Sequence, residues 1–283
     1  MKQNVLNTDL TGKVAVVTGA GGVLCSEFSR VLARAGAKVA LLNRTFEKAQ
    51  KVADEITAEG GIAKAYACNV LDKAQCESIA EQVLAEYGPC DILINGAGGN
   101  NPSATTDKEF FEDGDIGSTS KNFFNLDDNA VDKVFSLNFT GTLLPTQAFA
   151  KQMVGRKGCN IINISSMNAY RPLTKIPAYS GAKAAVTNFT QWLAVYFSRE
   201  GIRVNAIAPG FFSTAQNEKL LWNPDGSPTE RTHKILAATP MRRLGKSEEL
   251  SGALLFLLNN DAAGFITGIT LPVDGGCSAY SGV

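Results

Sequence analysis

Two hydrophobic rhythms alternate along the chain. Short continuous apolar runs at Lys13–Thr18, Lys38–Asn43, Ala63–Cys68, Asp91–Asn95, Arg203–Ala208 and the run opening at Asn160 read as strands covered on both faces. Between them lie stretches in which apolar positions return every three or four residues, as in helices with one buried face: Val23–Gly36, Glu47–Glu59, Lys73–Tyr87, Asn129–Val154 and Ser247–Leu258. Gly36 closes the first of these, and Gly88-Pro89 breaks the third. The alternation predicts an α/β fold, a doubly wound parallel sheet with helices on both faces, whose right-handed crossovers bring the strand ends to one edge. Gly268–Gly276 supplies a last strand, so residues 1–283 read as one domain.

Two segments break the rhythm. From Gly99 to Asp128, Glu109, Glu112, Asp113 and Asp115 interleave with Phe110, Phe111, Phe123 and Phe124. Connections this long are functional or disordered, and the phenylalanines favour a packed flap beside the active site, the alternative being an ordinary surface insertion. Residues 211–239 are polar, with Gln216, Asn217, Glu218, Lys219, Asn223, Asp225, Arg231 and His233, and read as a lid over the substrate.

Charge narrows the function classes. With 27 basic and 27 acidic residues and no long basic run, the chain lacks the electrostatic footprint of a nucleic-acid binder. Its six cysteines form no C-x-x-C pair, which predicts buried free thiols in a reducing compartment. The N-terminus has no apolar signal core and no run is long enough to span a bilayer, so a soluble cytoplasmic protein without membrane partners is expected. The single histidine, His233, leaves little material for a zinc site or a Ser-His-Asp triad, and no metal is expected.

The candidate chemistry sits between Asn160 and Lys183. A buried strand passes through Ser165-Ser166 and a loop punctuated by Pro172 and Pro177 into a helix carrying Tyr179 and Lys183. Residues four apart share a helix face, and an ammonium there favours an ionised phenol, whose ordinary pKa of about 10 is too high for proton exchange at neutral pH. Ser166 could hydrogen-bond a substrate oxygen. Upstream, the turn Gly19-Ala-Gly-Gly22 before a helix suits a pyrophosphate, because free N–H groups at a helix start hold negative charge.

Taken together and in this order, Gly19–Gly22, Asn95-Gly-Ala-Gly98, Ser166, Tyr179 and Lys183 resemble the single-domain branch of the short-chain dehydrogenase/reductase family, from Thr11 to about Gly276. The family writes its first turn Thr-Gly-x-x-x-Gly-x-Gly, and here Val23 and Cys25 stand at the second and third glycine positions. The resemblance implies a Rossmann-type nicotinamide enzyme in which Asn138, Ser166, Tyr179 and Lys183 are catalytic. It places the cofactor against Gly19, Gly21, Gly22, Val23, Leu24, Asn43, Arg44, Asn69 and Val70. It adds Asn95, Gly96, Ala97, Gly98, Tyr179, Lys183, Pro209, Gly210, Phe212 and Thr214 to that set. It also implies a homotetramer.

Two finer expectations follow. The second strand ends in Asn43 and Arg44 in place of the carboxylate that would bind ribose hydroxyls and repel a 2′-phosphate, which tilts the cofactor from NAD(H) towards NADP(H). Arg171 and Lys175 in the loop before the catalytic helix, with Asn100, Asn168 and Gln216, suit a polar anionic substrate, since Arg binds a carboxylate through two parallel hydrogen bonds. The run from Ser165 to Ser180 resembles the branch of the family that interconverts D-fructuronate and D-mannonate, so a sugar acid is the expected small-molecule partner. Another polyol or ketone reductase, of the gluconate 5-dehydrogenase or 3-oxoacyl reductase kind, would keep the same catalytic residues. A non-enzymatic nucleotide sensor would not need them.

Overall fold

The computed structural model describes residues 7–214 and 217–282. Strands β1 (Val14–Thr18), β2 (Lys38–Asn43), β3 (Ile62–Ala67), β4 (Ile92–Asn95), β5 (Cys159–Ile164), β6 (Ile202–Pro209) and β7 (Thr270–Val273) form one sheet in the order β3-β2-β1-β4-β5-β6-β7. All six strand pairings are parallel. The order reverses between β1 and β4, and beyond the carboxyl ends of those strands the crossovers part to leave a crevice. The helices are α1 (Val23–Arg34), α2 (Phe46–Ala58), α3 (Lys73–Tyr87), α4 (Asp128–Phe135), α5 (Gly141–Ala150), α6 (Pro177–Tyr196), α7 (Glu218–Leu221), α8 (Glu230–Ala238), α9 (Ser251–Leu258) and α10 (Asn260–Ala263).

The continuous apolar runs are explained by two core layers. Side chains alternate across a strand, so Val17, Leu41, Ile94, Ile162 and Ile207 pack on Phe28, Leu32, Ile56 and Leu254 of α1, α2 and α9. Val16, Leu42, Leu93, Ile161 and Val204 face the other way, onto Val83, Phe149 and Leu193 of α3, α5 and α6. Each central strand is buried on both faces, so a polar residue within one needs a partner there. Asn95 and Asn163 meet this by bonding across the sheet: the Asn95 amide donates to Asn163 Oδ1 and Thr146 Oγ1, each at 2.9 Å.

The long helix expected from 129 to 154 is interrupted. Ser136–Thr140 forms a π-helical turn between α4 and α5. At its centre the buried Asn138 amide donates to Val134 O and Gly99 O, each at 2.8 Å, and its Oδ1 accepts from Gly99 N at 3.2 Å. Single π turns gather at functional sites, and here the widened turn is tied to the chain leaving β4.

The flap also differs from expectation in how it is held. It contains three short 3-10 turns, Pro102–Ala104, Asp113–Asp115 and Phe123–Asn125. Its buried residues are Ala104, Asp115 and Asn122, while Phe110, Phe111, Phe123 and Phe124 are exposed. Phe111 and Phe123 meet the ring of Phe124 edge-on, at 5.8 and 5.4 Å, rather than reaching the sheet. Polar contacts order the segment instead. Lys108 bridges Glu112 and the buried Asp115, and the Asn122 amide donates to Asp115 O.

The altered glycine turn is compensated from across the sheet. Gly19 keeps a left-handed φ of 67°, and a Cβ there would lie 2.9 Å from the Ala97 backbone. Cys25, at the family's third glycine position, is buried with its sulfur directly over Gly96, where an added Cβ would fall 2.1 Å from Sγ. The thiol thus occupies the space that a side chain at residue 96 would need. Gly96→Ala should therefore destabilise the fold by about 1–3 kcal/mol through overpacking, and Cys25→Gly should recover most of that loss in the double variant. Urea midpoints of the four proteins in the cycle measure the coupling, and strictly additive single effects would refute the contact.

Candidate active site

The cleft beyond β1 and β4 has a volume of about 660 Å³. Its floor is the glycine turn and the start of α1. The N-cap residue Gly22 offers no side chain to the first turn of α1, and no acidic residue lies in that turn. By contrast, α3 is closed in the usual way, with the Asp72 side chain accepting from Gln75 N at 3.0 Å. The N-terminus of α1 therefore presents unclaimed backbone donors and a positive dipole end to the cleft, a fit for a pyrophosphate. Gly19, Gly21, Gly22, Val23 and Leu24 all line this part.

Along one side run Asn43 and Arg44 from the end of β2, and Asn69 and Val70 beyond β3. Asn43 Oδ1 accepts from Gly21 N at 3.3 Å and its amide donates to Thr45 O at 2.7 Å, which fixes its orientation. Lys48, on the first turn of α2, also lines this end, with its side chain packed against Gly21. Sequence reading passed over Lys48 because a single Lys in an exposed first helical turn carries no motif. Its position beside Arg44 emerges only when α2 folds back over the glycine turn.

On the other side stand Gly96, Ala97, Gly98, Tyr179, Lys183, Gly210, Phe212 and Thr214. Gly210 lies so close to Asp274 that a Cβ would sit 2.6 Å from its Cα. Asn95 and Pro209 do not reach the cleft wall. Asn95 is buried under it, held on Asn163 and Thr146, and Pro209 ends β6.

The four expected catalytic residues come from three places in the chain: the π turn, the end of β5 and α6. Ser166 follows β5, buried, with Oγ accepting from Asn168 N at 3.2 Å and a hydrogen bond to the Tyr179 phenol. Pro177 opens α6 at a position where its missing N–H costs nothing, and the helix then carries Tyr179 and Lys183 on one face. Lys183 Nζ is 5.6 Å from the Tyr179 ring centre and donates to Ile164 O at 2.7 Å. Gly98 joins this group to the π turn: a Cβ on it would lie 2.6 Å from Asn138 Oδ1 and 3.2 Å from Lys183 Nζ.

The electrostatics depart from the expectation that Lys183 makes the phenol acidic. Burial pushes the Tyr179 pKa up, and the Ser166 hydrogen bond only partly opposes it. Burial lowers that of Lys183 to about 8, with no carboxylate beside it to hold the proton. Desolvation outweighs an ammonium that faces the ring at a distance and not the phenol oxygen directly. Cys25 is pushed up to about 12 by burial and stays a neutral thiol.

The expected substrate contacts are scattered. Asn168 is buried in the 3-10 turn Met167–Ala169 directly after Ser166, and its Oδ1 has no partner. Asn100 is committed to the flap, its amide donating to Thr105 Oγ1 at 3.0 Å. Arg171 is turned away from the expected carboxylate clamp: its guanidinium donates to Cys277 O at 3.2 Å and to Tyr280 O, strapping the C-terminal tail to the catalytic loop. Those carbonyls were invisible as partners in a sequence separation of over a hundred residues. Lys175 adopts a left-handed φ of 73°, and its carbonyl accepts from Thr106 N at 2.9 Å, where the flap meets the catalytic loop. Gln216 lies outside the described residues.

Comparison with known proteins agrees with this architecture. Residues 13–224 match the family model of the short chain dehydrogenases. An uncharacterized oxidoreductase of Haemophilus influenzae is 59% identical over 277 residues, 98% of this chain and 97% of the relative. A Haemophilus structure solved with bound NAD, provisionally named a D-mannonate oxidoreductase, superposes with a TM-score of 0.94 at 58% identity, covering 99% of both chains. A gluconate 5-dehydrogenase from Burkholderia cenocepacia, solved with NADP and tartrate, gives a TM-score of 0.82 at 29% identity, over 98% of this chain and 100% of the other. With the sheet order, the cleft and the placement of Ser166, Tyr179 and Lys183, these likenesses lead to one conclusion: the chain belongs to the short chain dehydrogenase family and is an NAD(P)-dependent oxidoreductase.

Proposed function

We propose that this chain transfers hydride between a nicotinamide cofactor and the carbonyl or alcohol carbon of a sugar acid, interconverting D-fructuronate and D-mannonate. The observation that carries the reading is that Tyr179 and Lys183 line a cleft whose helix end is left uncapped, with the buried Ser166 hydrogen-bonded to the Tyr179 phenol behind them. The pyrophosphate would lie on Gly19–Leu24, the adenine against Asn69 and Val70, and the carboxamide near Gly210, Phe212 and Thr214. When bound, the nicotinamide supplies or accepts the hydride and, once oxidised, adds a positive charge near the phenol.

Within the chain, Ser166 holds the substrate oxygen by donating its hydroxyl proton to it. Tyr179 gives its proton to that oxygen in reduction and takes it back in oxidation. Its raised pKa keeps the phenol protonated at neutral pH, which suits the acid role directly. In the oxidising direction the phenolate needs nearby positive charge, which the Lys183 ammonium contributes below about pH 8. Asn138 holds the turn at Gly98–Gly99 on which Lys183 rests.

A polyhydroxy substrate is supported by Asn168, whose buried acceptor beside Ser166 matches a sugar hydroxyl. The provisional name of the Haemophilus structure points to D-mannonate. The tartrate in the Burkholderia relative favours gluconate-like acids as the second reading. For the cofactor, a neutral Asn43 repels neither ribose hydroxyl nor phosphate, and Arg44 and Lys48, which line the cleft with it, would attract a 2′-phosphate. The chain is proposed to accept both cofactors, with that cationic pair supplying the affinity for NADP(H). All six cysteines are buried free thiols, in keeping with the cytoplasm. The exposed stack of Trp192 and Tyr196 on α6, with Val195 beside it, supports self-association, and a homotetramer is proposed.

Three outcomes test this reading. The protein should oxidise NAD(P)H with D-fructuronate, followed at the absorbance of the reduced nicotinamide, and Tyr179→Phe should lower kcat by at least about a thousandfold while leaving cofactor affinity near the wild-type value. Turnover with gluconate-type acids alone would remove the uronate assignment, and an active Phe variant would remove the role of the phenol. Arg44→Ala combined with Lys48→Ala should cut kcat/KM for NADPH by about tenfold or more and leave that for NADH within about threefold. Equal losses with the two cofactors would sink the phosphate reading.

The third concerns stability. The folded-state pKa of Lys183, about 8, lies below its ordinary value of 10.5, so the buried ammonium opposes folding. That penalty, on the order of 3 kcal/mol, is full below about pH 8, falls as pH rises towards 10.5 and vanishes above it. Lys183→Met should therefore raise Tm at pH 7 by roughly 5 °C while abolishing turnover, with the gain shrinking above pH 9. A destabilised Met variant would show that the ammonium is better solvated than its burial implies.

A further inference from the structure

Outside the catalytic group, the described residues hold one close pair of thiols. Cys68 follows β3 and Cys76 lies in the first turns of α3, with their sulfurs 4.0 Å apart and both side chains buried. Cys68 also lines the cofactor cleft, so one member of the pair borders a space open to small solutes. Cys76 Sγ points back at the carbonyls of Asn69 and Val70, at 4.0 and 3.9 Å. The two cysteines therefore bracket the segment to which the adenine is assigned. They also sit on separate elements, so a bond between them would pull α3 towards the end of β3.

We propose that Cys68 and Cys76 form a reversible disulfide on exposure to a hydroperoxide, and that this cross-link closes the adenine end of the cleft. The second half rests on the placement of the adenine against Asn69 and Val70. The sulfurs must approach from 4.0 Å to about 2.05 Å, a movement of the size that rotation of the two side chains and a small shift of the helix start supply. The thiols share a hydrogen bond. Donation from Cys68 holds Cys76 below its usual range, and the same bond raises Cys68, so the pair gives up its first proton more readily than an isolated buried thiol.

The chemistry balances without a metal or an electron carrier. Either sulfur can hold the shared proton; when it sits on Cys76, the ionised Cys68 sulfur bordering the cleft attacks one oxygen of hydrogen peroxide, the O–O bond breaks, hydroxide leaves and a sulfenic acid forms. The second sulfur then attacks the first, the S–O bond breaks, and the oxygen leaves as water with the second thiol's proton. Both electrons come from the sulfurs, and the peroxide ends as two molecules of water. A thiol reductant reverses the bond by exchange.

Closure and cofactor binding then oppose each other. A cofactor seated over Cys68 blocks the peroxide, and by linkage the cross-linked protein binds cofactor more weakly. The test uses the full-length protein treated with hydrogen peroxide, with and without saturating NAD+, then denatured, alkylated and weighed intact, with peptide mapping of any link. The expected result is the loss of two hydrogen masses and of two of the six alkylatable thiols, mapped to Cys68–Cys76, and prevented by NAD+. Titration calorimetry should show NAD+ affinity reduced by about tenfold or more in the oxidised protein and restored by dithiothreitol. Cys76→Ser and Cys76→Ala, two changes at a residue outside the cleft, should keep the affinity of the reduced protein and lose its response to peroxide.

Six free thiols after treatment, or a link between other cysteines, overturns the proposal. A Cys68–Cys76 link with unchanged NAD+ affinity overturns the closure of the adenine end. Reduced protein that binds neither nicotinamide cofactor overturns the cofactor reading itself, which the mass measurement of the link distinguishes from failure of the thiol chemistry.

Discussion

The site is organised around an ammonium held out of water. Lys183 Nζ is buried, donates to Ile164 O at 2.7 Å and, among the described residues, has no carboxylate against it. A buried charge without an opposite partner opposes folding and persists only where the surrounding structure leaves it no other place. That structure is the join of β5 and α6: the strand ends at the carbonyl that Lys183 needs, and the helix starts late enough to set Tyr179 one turn before it. The π turn then brings Asn138 against Gly98 from the opposite side. Tyr179, Asn138 and Gly98 are all placed by elements that meet around this one cation.

The glycine turn shows how a family pattern can change while its geometry survives. A cofactor floor requires backbone N–H groups at close approach, not particular glycines. Gly19, Gly21 and Gly22 meet that need ahead of α1, and Cys25 can replace the third glycine because Gly96 yields the space. The buried thiol, pushed up to about 12, is a small neutral side chain beside Lys183 and adds no charge to the site. The departure at Cys25 and the glycine at residue 96 are in physical terms a single exchange of volume between packed elements.

Much of this was legible in the chain itself, and the reasons are specific. The strands β1, β2, β4, β5 and β6 are buried on both faces, so their apolar runs could not be mistaken for half-exposed strands. The spacing of Tyr179 and Lys183 put both on one face of α6 before any coordinates. What sequence could not give were quantities set by three-dimensional surroundings. The direction of the Tyr179 shift depends on desolvation by residues brought in from other elements, not on the nearest charge along the helix. Arg171 found carbonyls of the C-terminal tail, and the flap's phenylalanines found one another instead of the core. Local pattern predicts which faces are apolar, while long-range polar partners are fixed only by closure of the fold.

The flap and the lid follow from the same distinction between buried and exposed polar contacts. At its root the flap is tied by the Thr106 N–H on the Lys175 carbonyl, while Lys108 and the buried Asp115, 2.8 Å apart, brace it internally. At its tip it touches the lid through Glu109 and Lys234 of α8, at 2.8 Å and exposed to solvent. Exposed ion pairs are screened by water and salt, and Lys234 has a second carboxylate, Glu230, on its own helix at 3.5 Å, so separating flap from lid exchanges one weak partner for another. The root connects directly to the loop that carries Ser166 towards Tyr179, where Lys175 holds a strained left-handed φ of 73°. The backbone contact therefore lies next to the loop between Ser166 and Tyr179, and the solvent-screened one lies where the flap meets α8.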